Sequence, residues 1–96
     1  VEAFVAQGDS RGRALAERLV DAVSSMGMRT RGVKWDSQSQ HTRLKVLRDT
    51  YRVMPAVLLE VGFLTSAHDS AQIKRPEFRE AVAKKIAETL TGPQPG

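Results

Sequence analysis

Glu60 is the one carboxylate inside an otherwise apolar run, Met54-Pro55-Ala56-Val57-Leu58-Leu59-Glu60-Val61-Gly62-Phe63-Leu64. An ionised carboxylate in apolar surroundings must find partners or become neutral, and either outcome suits acid–base work. In open α/β sheets ligands collect outside the carboxyl ends of strands, which is where Glu60 would fall. Gly62, two residues on, permits close backbone approach. Residue type and position suit a general base. A plainer reading stands beside this one: the strand ends at Glu60, and the side chain meets solvent or caps a loop.

The remaining candidates carry less chemistry. His41 and His68 are the only imidazoles; they lie in separate polar segments and belong to no H-E-x-x-H or similar spacing, so they make no self-contained zinc site. His68 precedes Asp69 and could pair with it, though a solvent-exposed histidine is the expected state. No cysteine is present, which removes disulfides, thiolate metal sites and a Cys nucleophile. No serine sits in G-x-S-x-G. Gly8-Asp9-Ser10-Arg11-Gly12 lacks the G-K-[ST] ending of a phosphate loop and reads as a turn and helix cap.

These residues need elements to position them. The apolar run behind Pro55 reads as a strand buried on both faces, at the centre of a parallel sheet. Residues 1–6 begin as a strand. Leu15, Leu19, Ala22, Val23 and Met26 form one face of an amphipathic helix over 11–26, with Gly27 as its left-handed terminator. Residues 29–35 form a short strand or extended loop, 36–42 an exposed polar loop, and 44–48 have strand character. After a loop over 65–70, a helical turn runs through 71–73. A final helix starts at Pro76, with Phe78, Val82, Ile86 and Leu90 as its apolar stripe. The order predicts an α/β fold with a mostly parallel or mixed sheet and helices on both faces.

Ninety-six residues support one small domain, burying about 60% of its unfolded surface. Hydrophobic residues at 41% and charged residues at 27% belong to a globular sequence. No stretch approaches the roughly 20 apolar residues of a membrane span. Net charge is +4, with 15 Lys and Arg against 11 Asp and Glu, a balance that favours polyanionic surroundings. The arginines are scattered and the five aromatics do not interleave with them, so nucleic-acid binding is not expected.

The block P-A-V-L-x-E-x-G-F at 55–63, followed by Thr65-Ser66, Asp69 and Pro76-Glu77-Phe78-Arg79, resembles the C-terminal half of the zinc-dependent N-acetylmuramoyl-L-alanine amidases. Upstream, Val1-Glu2-Ala3-Phe4-Val5 resembles the family's strand entering with G-x-E. Ser10 to Leu19 resembles its S-x-x-L-A helix, and Arg31-Gly32-Val33-Lys34 with Leu44 to Arg48 its R-x-V-K…L-x-V-L-R segment. The resemblance covers nearly the whole chain.

It implies hydrolysis of the amide between the muramic acid lactyl group and L-alanine of the peptidoglycan stem, in the cell envelope or outside the cell. A phage lysin is one source that fits. It also implies one zinc held by two histidines and a glutamate, with a further glutamate assisting as general acid and base; that glutamate matches Glu60. The zinc ligands of the family precede the G-x-E strand, so the resemblance implies that no metal ligand lies in this chain. Residues 1–91 are then expected to be the C-terminal half of a catalytic domain, partnered by the N-terminal half and inactive without it. Residues 92–96 would form a Pro/Gly tail or linker. The alternative is a non-catalytic wall-binding or assembly fragment that retains the half-fold.

Overall fold

Residues 1–6 are all buried, and they organise the sheet. Side chains alternate across a strand, so Val1, Ala3 and Val5 enter one apolar cluster while Phe4 and Ala6 enter another on the opposite face. The computed structural model describes residues 1–38, 45–63 and 65–92. In chain order these form β1 (Glu2–Val5), α1 (Ser10–Ser24), β2 (Gly32–Trp35), a 3-10 turn (Asp36–Gln38), α2 (Lys45–Thr50), β3 (Leu58–Glu60), α3 (Ala67–Ile73) and α4 (Pro76–Thr91).

The described strands make a mixed sheet of order β2-β1-β3. β2 runs parallel to β1, pairing Glu2 with Gly32 and Phe4 with Lys34. β3 runs antiparallel to β1, pairing Glu2 with Glu60 and Phe4 with Leu58. α1 and α4 cover one face through Ala16, Val20, Val23, Phe78 and Val82. On the other face Leu47 of α2 and Tyr51, just beyond it, pack against Phe4 and Ala6. The α/β class with helices on both faces is therefore the observed architecture, in its mixed-sheet form.

Several expectations change. The run at 54–64 is not the central strand: it pairs over three residues only, antiparallel, and Leu58 is 36% exposed. Val57, Leu59 and Val61 reach the core on one side, whereas the sheet centre belongs to β1. Residues 45–50 are helical rather than extended, because Leu47 and Tyr51, four apart, share a face against the sheet while Val46 points outward at 64% exposure. Asp36 is buried, not part of an exposed loop, and accepts from the Gln7 backbone N–H at 3.0 Å. His41 and the tail at 93–96 lie outside the described residues.

Helix ends follow local chemistry. Asp9 caps α1 by accepting from the Gly12 N–H at 2.9 Å, and its second oxygen reaches the Ala56 N–H at 3.4 Å. This one buried carboxylate ties the helix start to the segment entering β3. Gly27, at φ +95°, takes the left-handed conformation expected of it. α3 begins earlier than expected, at Ala67, because the Ser66 hydroxyl caps it by accepting from the Asp69 N–H.

Candidate active site

Glu60 is half-buried and ends β3, directly opposite Glu2 in the register. Residues directly opposite in an antiparallel pair project to the same face, with Cβ atoms about 4.5–5.5 Å apart. Two carboxylates therefore stand side by side on the face that also carries Phe4. Glu2 is 7% exposed and forms an ion pair with Lys34 of β2. The Lys34 ammonium also donates to the Arg31 carbonyl at 2.9 Å. Three strands thus contribute Glu2, Lys34 and Glu60 to one cluster.

Further groups converge at the same end of the sheet. Arg31 directly precedes β2, and its backbone N–H donates to the Val1 carbonyl at 2.7 Å. Its guanidinium lies 3.9 Å from the centre of the Phe63 ring, a cation–π geometry. Among the described residues it has no carboxylate partner.

The chain beyond Glu60 is held by α3. Asp69, buried, accepts from the Phe63 backbone N–H at 3.0 Å, and this bond, aided by His68, holds its carboxyl below the usual carboxylate range. His68 Nδ1 lies 3.3 Å from Asp69 and the ring is 48% exposed, in a helix rather than a loop. Gly62 admits no side chain without displacement: a Cβ there would come 2.7 Å from Ile73 Cδ1 and 2.8 Å from Met28 Cε. The Glu60-Val61-Gly62-Phe63 segment therefore passes close against α3.

A cavity of about 830 Å³ lies at the other end of β1, lined by Ala6, Gln7, Asp36, Arg48, Tyr51 and Arg52 among others. It contains none of the residues around Glu60. Among the described residues, no three His, Cys, Asp or Glu side chains are grouped so as to hold a metal ion. The residues around Glu60 do not by themselves fit a zinc site.

A family model described as N-acetylmuramoyl-L-alanine amidase matches residues 1–92. The chain belongs to that amidase family. No curated protein and no solved structure matches it. Peptidoglycan amidases are hydrolases, and the family is generally zinc-dependent. No helix among the described residues of the amidase chain is long and apolar enough to cross a membrane. Sequence reasoning selected Glu60 from the apolar run but did not single out Glu2 or Lys34. Their signal was present as the glutamate of the G-x-E strand and the lysine of R-x-V-K, two motifs that meet only once β1 and β2 pair.

Proposed function

We propose that the protein carrying this chain hydrolyses the amide between the muramic acid lactyl group and L-alanine of the peptidoglycan stem, with Glu60 as general acid and base. The observation that carries the reading is the position of Glu60: a half-buried carboxylate at a strand end, opposite Glu2 of β1, which is itself paired with Lys34 of β2, in a chain of the amidase family. Glu60 takes a proton from the attacking water and returns it to the leaving amine. Zinc, implied by the family, supplies Lewis-acid activation of water when bound. Its ligands belong to residues other than those grouped around Glu60. What this chain contributes is proton transfer at the Glu60 carboxylate and a fixed strand end to hold it. The substrate sets the place of action as the cell envelope or beyond it, in a host remodelling enzyme or a phage lysin.

The full-length protein with Glu60→Gln should release stem peptides from cell-wall sacculi at least about 100-fold more slowly, the usual worth of a positioned acid or base. Turnover near wild type in a folded variant would overturn the assignment.

A further inference from the structure

We infer that the Glu2–Lys34 ion pair is a positioning device that sets the protonation of Glu60. The inference rests on the reading of Glu60 as the base. Glu2 sits directly opposite Glu60 across the β1–β3 pair, and like charges directly opposite on a sheet disfavour one another. Glu2 is almost completely buried, so its charge is poorly screened by water and would bear on the neighbouring carboxylate. Lys34, from the strand on the other side of β1, neutralises it. The base therefore faces a balanced pair instead of a bare second carboxylate. In the same contact, Lys34 holds the Arg31 carbonyl and so ties the pair to the strand end beside Phe63.

The other charges near the cluster are accounted for by place. Arg31 lies over Phe63, and the Asp69 carboxylate is engaged by the Phe63 N–H and His68. On the same face α2 carries Lys45, Arg48 and Asp49, and Arg52 follows it in the turn beyond. Leu47 and, just after the helix, Tyr51 pack on Phe4 and Ala6, further along β1 than Glu2, and Lys45 pairs with Asp49. α1 and α4 cover the opposite face.

The balance predicts shifts of opposite sign. The test is the pH–rate profile of the full-length protein on a soluble muropeptide, read at the acid limb where the base must ionise. Lys34→Met leaves two carboxylates facing each other, so the limb moves to higher pH by about one unit, a roughly tenfold loss of rate at a pH on the limb. Glu2→Gln leaves the Lys34 charge uncompensated on the far side of β1, and the limb moves to lower pH. The double variant Glu2→Gln with Lys34→Met removes both charges and returns the limb to the wild-type position; Lys34→Arg keeps it there. Limbs unmoved in both single variants, or a loss of rate by one factor at every pH, would overturn the inference. If Lys34→Met does not fold, Glu2→Gln and the double variant decide by the same criterion. Glu60→Gln at wild-type turnover would instead remove the reading of the base itself, so the two failures are distinguishable.

Discussion

At the scale of single residues, Asp69 links the candidate site to acid stability. Its carboxyl is held below the ordinary range chiefly by the Phe63 N–H. A carboxylate depressed in the folded state contributes stability that is complete above its unfolded value, about 3.9 for Asp, and is lost as pH falls through the lower folded value. Acidification below about pH 4 should therefore loosen the Phe63 turn and lower the Tm. Asp69→Asn should be less stable than wild type at neutral pH and show a shallower further loss on acidification. Thermal melts at a series of pH values check this; parallel curves for the two proteins would contradict it. Since the same turn holds Phe63 under Arg31, the variant should also weaken substrate turnover with Glu60 intact.

Among the elements, the join between α1 and the segment entering β3 depends on a glycine. At an open helix position, replacing glycine by alanine would add about 0.5–1 kcal/mol of stability. At Gly12 the added Cβ would lie 2.2 Å from Asp9 Oδ2 and 3.0 Å from the Ala56 carbonyl oxygen. Displacing Asp9 gives up a helix cap worth about 0.5–2 kcal/mol, and crowding at a packed position costs about 1–3 kcal/mol. The losses outweigh the gain. Gly12→Ala should destabilise the protein by at least about 1 kcal/mol in urea unfolding, and a stabilised variant would show that Asp9 is free to move. Elements of this kind were largely legible in the sequence, because caps and helical periodicity are local: Asp9, Gly27, Pro76 and the Phe78 to Val82 spacing all mark what forms. α2 was misread because a six-residue segment presents too few apolar positions to separate a period of two from one of 3.6. The place of β3 was misread because an apolar run reports burial, not which neighbour lies on each side. Glu60 stood out as a charge in such a run, whereas Glu2 and Lys34 acquire their relation only through a register spanning three strands.

Across the whole molecule, the sheet end that holds Glu60 is braced from behind by α4. Phe78 and Val82 enter the cluster containing β1 and α1, and Arg18 of α1 donates to the Thr89 carbonyl near the far end of α4. The apolar stripe expected along α4 is thus used unevenly: Phe78 is 8% exposed, while Leu90 is 48% exposed. Truncating a buried phenylalanine costs about 3–5 kcal/mol, because the transfer energy is lost and a cavity remains. A half-exposed leucine near the helix end, by contrast, leaves little cavity, and its loss should stay below about 1 kcal/mol. Phe78→Ala should therefore lower the denaturation midpoint severely and take activity with it, since Phe78 shares the hollow beneath Val61 and Gly62, next to Glu60. Leu90→Ala should leave both nearly unchanged. Equal losses in the two variants would mean that α4 is held along its full length rather than at the end beneath β3, and urea titration with turnover measured on the same samples separates these outcomes.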